Sequence, residues 1–293
     1  MQPVSRIAVG VSLLLLNIAV AQAATLIGLN SQNQLSRIDT NNVAAAVNID
    51  ISGLAVGDRF VGIDTRPKDS KIYGVTLSNK IYTIDEMSGM TSFVAGLSSA
   101  VIQTNQGYGI DFNPIADAGT GASLRLIGSA GNNYAINATT GVVGNLSGMI
   151  APGYTNVAYS NSMPGQLVAP ASTSLYYINS STDTLSVAIS GFNAPTITTV
   201  GSLGIDVLKA GGFEILSNGQ AFAALNQDAG SSLATGIYSI DLTTGQASLR
   251  GTYNGTLSGL TVSAVPEPQT YALLMLGLLG VGVISRRRIN RGS

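Results

Sequence analysis

Short strings recur along this chain: SRID (36–39), YTID (82–85), YAIN (134–137), YYIN (176–179) and YSID (238–241). Each sets Ile before Asp or Asn, and four of them set Tyr two residues before the Ile. Self-similarity of this kind constrains a fold more than any local propensity, because a single repeat cannot bury its own apolar face and must stack on its neighbours. Tyr82 and Ile84, Tyr134 and Ile136, Tyr176 and Ile178, and Tyr238 and Ile240 are two apart, so each pair shares one face of a strand. Gly89, Gly141 and Gly245 follow their Asx residues by four positions. That spacing suits a hairpin loop that opens on an Asx turn and ends in a left-handed residue. Val43 and Asp183 stand at the other two places, so those turns must differ. Asp39, Asp85, Asn137, Asn179 and Asp241 mix acid with amide at one position. A turn accepts either, whereas a catalytic carboxylate cannot be exchanged for an amide, so these residues read as turn formers.

A second set of strings precedes the first: VGIDTRP (61–67), YGIDFNP (108–114), NVAYSNS (156–162) and LGIDVLK (203–209). Gly62, Gly109, Val157 and Gly204 lie 47, 48 and 47 residues apart. A period of that length holding about four short strands is that of a β-propeller blade. The first unit, TLIGLNSQNQLSRID, lacks its leading strand, while LSGLTVSAV (257–265) brings that pattern at the end with no blade of its own. Joining the two closes a ring. The expected fold is all-β, a propeller of about five four-stranded blades over residues 24–264, with the last strand lying in the blade begun by the first. Closure removes exposed sheet edges, which matters in a chain with no disulfide. A three-sided β-helix or an open two-sheet sandwich is the alternative architecture.

Composition narrows the chemistry. The 293 residues include no Cys, no His and no Trp, which removes disulfides, thiolate nucleophiles, the usual zinc and iron–sulfur sites and the commonest general base. Residues 24–264 carry nine Lys/Arg against fourteen Asp/Glu, a net charge of −5, which does not attract nucleic acid. Asp64, Asp111 and Asp206 end equivalent GID strands, the innermost of their blades, and are therefore expected to ring one mouth of the central channel. Such a ring can hold a hard cation such as Ca²⁺. The plainer alternative is that each Asp bonds the backbone of its own turn, which the prolines of DTRP and DFNP favour. No other cofactor is implied. The body holds only two Glu, Glu86 in a hairpin turn and Glu214 in a strand-like run, so a glycoside hydrolase with paired carboxylates is the secondary reading. The segments NPIADAGTGAS (113–123) and NQDAGSSLATG (226–236) depart most from the repeat and read as loops, either gathered on a binding face or unspecialised.

The two ends are addresses. Residues 1–23 place Arg6 before the apolar run Ile7–Leu16 and finish on Ala21-Gln22-Ala23, the small-x-small pattern of a signal peptide cut by signal peptidase after Ala23. At the other end Pro266-Glu267-Pro268 precedes an apolar stretch, 271–285, and the cluster Arg286, Arg287, Arg288. As a helix that stretch spans about 22 Å, shorter than the ~30 Å hydrocarbon core. The arginines hold the tail on the cytoplasmic side and the body across the membrane.

The order Pro-Glu-Pro, short helix, arginines over residues 265–293 resembles the PEP-CTERM sorting signal of Gram-negative bacteria that make exopolysaccharide. The resemblance implies an inner-membrane-anchored precursor, processing by an exosortase, and a final place at the cell surface or outside the cell. The run GIDTRPKDSKIYGVTLSNKIYTIDEMSG also resembles the bacterial domain-of-unknown-function family 4394, most closely over 60–97. That family implies a repeat fold in an extracellular setting and no established activity. The expectation for the whole chain is a non-enzymatic propeller that interacts with extracellular polysaccharide, as in a biofilm matrix, or with surface proteins.

Overall fold

In the computed structural model, residues 24–121, 123–228 and 233–264 are described, and they form five four-stranded antiparallel sheets set around one axis. Blade one opens with β1 (Thr25–Asn30), β2 (Gln34–Asp39) and β3 (Val47–Asp50). Blade two is β4 (Phe60–Thr65), β5 (Ile72–Thr76), β6 (Lys80–Ile84) and β7 (Thr91–Gly96). Blade three is β8 (Tyr108–Phe112), β9 (Leu124–Gly128), β10 (Asn133–Ile136) and β11 (Val143–Gly144). Blade four is β12 (Tyr154–Tyr159), β13 (Leu175–Asn179), β14 (Thr184–Ala188) and β15 (Thr198–Ser202). Blade five is β16 (Lys209–Ile215), β17 (Ala221–Asp228), β18 (Leu233–Ile240) and β19 (Ala247–Tyr253). The last strand, β20 (Leu257–Val262), pairs antiparallel with β1 and completes blade one, as the missing leading strand requires. The innermost strands β20, β4, β8, β12 and β16 each pack on the next around the axis.

Apolar side chains on both faces of each sheet give one core per seam. Ile27, Leu35, Phe60 and Ile63 join blades one and two, and Val75, Ile110, Phe112 and Leu126 join two and three. Ile127, Val157 and Tyr177 join three and four, Ile178, Leu185, Phe213 and Ile240 join four and five, and Leu26, Phe222, Ile237 and Leu260 close the ring. Each fully buried aliphatic or aromatic side chain contributes about 1.5–3 kcal/mol, so the seams, not the isolated blades, stabilise the ring.

The repeated turns serve these seams. Asp85 Oδ1 accepts from Met87 N and Ser88 N at 3.2 and 2.8 Å, and Asn137 and Asp241 bind their own turns in the same way. Gly89, Gly141 and Gly245 have φ of 69°, 74° and 84°. A Cβ on Gly89 would overlap Asp50 O of blade one, and a Cβ on Gly141 would overlap Gly96 O of blade two. The glycine therefore permits both the left-handed turn and its docking on the outer strand of the preceding blade. The turns at Val43 and Asp183 do differ: Val43 begins a 3₁₀ turn, Val43–Ala45, and Asp183 is itself left-handed.

Two expectations of phase are corrected here. Tyr176 and Ile178 lie on the second strand of their blade, β13, whereas Tyr82, Tyr134 and Tyr238 lie on third strands. The segment 203–209 is not an innermost strand. It crosses from blade four to blade five, and the innermost strand begins only at Lys209.

Candidate functional site

The innermost strands all run the same way around the axis, so equivalent positions form layers. Ladder register aligns Asp64, Asp111, Ala158, Glu214 and Thr261, which face Tyr73, Arg125, Tyr176, Phe222 and Ile27 on their second strands. One oxygen from each of Asp64, Asp111 and Glu214 lies within 4.8 Å of the others, and the three residues are only 4%, 2% and 4% exposed. This is the one cluster of three acidic residues among those described. Of the three residues expected to ring a mouth, Asp64 and Asp111 come together, whereas Asp206 is exposed on the crossing segment and stands apart from them. Glu214 takes its place. The third step of the series, from Ala158 to Glu214, is 56 residues, because blade four carries extra chain. LGID keeps the period of 47 by coincidence. The usable signal was Gly212-Phe213-Glu214, which lies 47 residues before Gly259-Leu260-Thr261.

These side chains stitch the seams. Asp64 Oδ2 accepts from Phe112 N of blade three at 2.8 Å, and Asp111 Oδ1 accepts from Tyr159 N of blade four at 3.1 Å. Asn156 Oδ1 accepts from Gly211 N of blade five at 3.2 Å, and Glu214 Oε2 accepts from Val262 N of blade one at 3.0 Å. Thr261 Oγ1 accepts from Thr65 N of blade two at 2.8 Å and donates to Asp64 Oδ1 at 2.8 Å. Every seam is thereby joined at the axis by a side-chain acceptor on one innermost strand and a backbone N–H on the next. The own-turn alternative holds only in part: Asp64 Oδ1 also accepts from Thr65 N, but each carboxylate reaches the neighbouring blade as well.

Burial governs the protonation of this cluster. It pushes Asp64 up to about 7, against the hydrogen bonds from Thr261, Phe112 and Thr65. Burial, and then the charges of Asp64 and Glu214, hold Asp111 well above the usual carboxylate range, and burial followed by the charge of Asp64 does the same for Glu214. The two ion pairs among the described residues, Arg37–Glu86 and Arg66–Asp117, both lie elsewhere. Three carboxyls in one dry place cannot all ionise without a counter-charge. Chemically the cluster can share protons or offer oxygens to a hard cation.

The axis itself is nearly shut. A Cβ on Gly62 would come within 2.7 Å of Ile110 Cδ1, and a Cβ on Gly212 would overlap Leu260 N. The space left between the glycine-bearing segments is about 10 Å³, lined by Gly62, Gly109, Asn156, Gly212 and Gly259. That volume is about one water.

At the opposite ends of the innermost strands the axis opens into a funnel of about 570 Å³, lined by residues of blades one to four and by Leu208 on the segment that crosses into blade five. Among the described side chains Arg59 is the one charged group on its wall, and Thr104, Asn105, Gln106, Ser129 and Thr155 contribute hydroxyls and amides. No sequence motif marked it, because its lining combines the first residues of β4, β8, β12 and β20 with connections that share no pattern. Of the two loops expected to depart from the repeat, 113–123 lies at the other end of its blade, between β8 and β9, and 226–236 is described only at 226–228 and 233–236. The first folds into the short helix α1 (Pro114–Asp117), capped by Asn113, and Asp117 takes Arg66 Nε at 2.7 Å. This pair joins blade three to blade two. The second is an extension of the β17–β18 hairpin, with Asn226 facing Thr235 and Asp228 facing Leu233.

The end of the body is tied down. Glu86 pairs with Arg37 and accepts from Ser263 Oγ and, at 3.2 Å, from Ala264 N. Ala21, Ala23, Pro266, Glu267, Pro268, Arg286, Arg287 and Arg288, with the stretch 271–285, lie outside the described residues. No described helix is long and apolar enough to cross a membrane.

Fold and site define a closed five-bladed propeller whose axis is acidic and sealed at one end and open and neutral at the other. The chain belongs to the family "Domain of unknown function (DUF4394)", whose model matches residues 34–261. A PEP-CTERM protein-sorting motif matches residues 264–288, which makes the chain an exported, exosortase-sorted protein with a membrane-anchored precursor. No curated protein matches it.

Among solved structures, the calcium-binding protein regucalcin from Agrobacterium tumefaciens strain C58 is similar at 14% identity and a TM-score of 0.40, over 76% of this chain and 67% of its own. A putative 6-phosphogluconolactonase from Bacteroides uniformis is similar at 10% identity and 0.41, over 79% and 82%. A structural-genomics protein of unknown function from Bacteroides thetaiotaomicron is similar at 10% identity and 0.48, over 79% and 59%.

Proposed function

We propose that this chain is a non-enzymatic propeller module that works at the cell surface or in the extracellular matrix after exosortase processing, in association with exopolysaccharide. The observation that carries the non-enzymatic part is the use made of the acidic cluster. Asp64, Asp111 and Glu214 spend their oxygens on the blade seams, are almost fully buried, and face an axis with room for about one water. A glycoside hydrolase needs two carboxyls flanking a sugar in a cleft, about 5–9.5 Å apart. The oxygens of the cluster, within 4.8 Å of one another, sit closer than that and line no cleft. The funnel has a cleft, yet among the described residues no Asp or Glu lines it. A second cleft of about 610 Å³ is lined by Asp85 and Glu86, but Asp85 is bound to its own turn and Glu86 to Arg37, Ser263 and Ala264. What supports a role in the matrix is the sorting tail together with a body whose polar residues are mostly uncharged.

The test is co-sedimentation of the full chain, held in mild detergent, with its host's extracellular polysaccharide, with and without Ca²⁺, while reducing ends are assayed. Saturable binding without new reducing ends is the expected result, and it should not depend on Ca²⁺, because protons balance the triad in this reading. Release of reducing ends would overturn the non-enzymatic reading. A Ca²⁺ requirement lost in the Glu214→Gln variant would replace the protons with a cation held by Asp64, Asp111 and Glu214.

A further inference from the structure

We infer that the funnel is the glycan-binding site of this protein, and that it takes an uncharged polyhydroxylated segment, a stretch of neutral hexoses, in preference to a uronate chain. The inference rests on the association with exopolysaccharide proposed above and gives it a place and a chemistry.

Four observations carry it. The mouth encloses about 570 Å³ between blades one to four and the segment entering blade five, within the range of about 300–1,000 Å³ typical of ligand sites. Its wall offers hydroxyls and amides with a single charge, Arg59, so it matches a ligand that presents many neutral donors and acceptors. Arg59 stands alone on a body of net charge −5, which disfavours a polyanion.

The backbone is also shaped at this end. Ladder register slips between Phe60 and Gly62, between Tyr154 and Asn156, and between Leu29 and Asn30 opposite Ser258. The bulged residues Val61, Thr155 and Ser258 all line the funnel, and bulges of this kind re-aim side chains next to sites. Finally, two polar atoms in the floor have no partner: Thr155 Oγ1, on a residue 4% exposed, and Gln106 Oε1. Buried polar atoms are almost always satisfied in native proteins. A ligand hydroxyl or a bridging water reached from the funnel supplies what the protein withholds. Below the floor the glycines close the axis, so the ligand stops in the mouth and never meets the acidic cluster.

Two variants test this without threatening the fold. Thr155→Val removes the orphaned hydroxyl at nearly constant shape, and Asn105→Leu alters an exposed wall residue. Binding of the full chain in mild detergent is measured by calorimetry and co-sedimentation against dextran, a β-glucan, a galactomannan, polygalacturonate and the host polysaccharide, with thermal melting recorded in parallel. The expected result is saturable binding to a neutral glycan, weakened at least about 10-fold in each variant, with Tm unchanged in Asn105→Leu and raised in Thr155→Val. Wild-type affinity in both variants would overturn the funnel site and leave the matrix reading standing. Binding to polygalacturonate alone would overturn the neutral chemistry. Binding to no glycan at all would overturn both the site and the matrix reading.

Discussion

The two ends of the propeller axis are built from the same five strands and have opposite character. At one end Asp64, Asp111 and Glu214 converge within 4.8 Å, almost without exposure, and hand hydrogen bonds from blade to blade. At the other end, three to four residues away along each strand and so about 10–13 Å at ~3.3 Å per residue, the bulged residues Val61, Thr155 and Ser258 open the wall and leave polar atoms without partners. Satisfied polar networks rigidify a structure, and a buried polar atom without a partner calls for an explanation. The sealed end belongs to stability and the open end to recognition.

The sharpest way to break this comparison is at the sealed end. Gly212→Ala places a Cβ on the backbone of Leu260, and overpacking against a main chain that cannot yield should cost about 3 kcal/mol or more. Urea denaturation would show a lower midpoint or no folded baseline, and a loss under about 0.5 kcal/mol would mean that the axis is looser than described. Next in size is Asp64→Ala, which orphans the buried Phe112 N–H at about 1–3 kcal/mol for the group left unpaired, while the Thr261 hydroxyl still has Glu214 Oε2 at 3.1 Å. The same measurement checks it.

The third effect is the pH dependence. Unfolded carboxyls release their protons near pH 4, whereas in the folded chain Asp64 keeps its proton to about pH 7 and Asp111 and Glu214 are also raised. Across that window the folded state binds more protons than the unfolded state, so each rise in pH favours unfolding. This contribution is fully present below about pH 4 and is lost as pH rises through about 7. Tm should therefore fall between pH 5 and pH 8, by about 2–4 °C per kcal/mol lost, and Asp64→Asn should flatten the fall. A flat wild-type profile would remove the case for shared protons.

The smallest effects separate the two ends most cleanly. Asp206→Asn, on the exposed crossing segment, and Arg59→Ala, on the funnel wall, should each change stability by less than about 0.5 kcal/mol. A loss above 1 kcal/mol in Asp206→Asn would return that residue to the axis.

Much of this was legible along the chain. The Asx turns that end on Gly89, Gly141 and Gly245 fall where the pattern puts them, because an Asx turn and a left-handed glycine are decided within five residues. Asp64 and Asp111 were legible for the same reason, each sitting in an undisturbed unit of 47 residues. Glu214 was not, because the fourth unit is longer and LGID stands where the period points. The slip also moved YYIN from a third strand to a second one. Local pattern identifies a strand, but which layer of which blade it enters depends on how much chain the preceding blade has used.

The sequence by itself determined the number of blades, the turns that dock them, the closure of the ring by β20 on β1 and the sorting tail. Each of these is written in a periodicity or a contiguous motif. Tertiary structure alone decided which acidic residues meet, that their oxygens serve the seams, and which mouth of the axis is open. Those outcomes depend on contacts across the axis between residues 47 or more apart in the chain, such as Asp64 with Thr261 and Glu214 with Val262. Only the closed ring, with its glycines drawn together at the centre, brings them within reach.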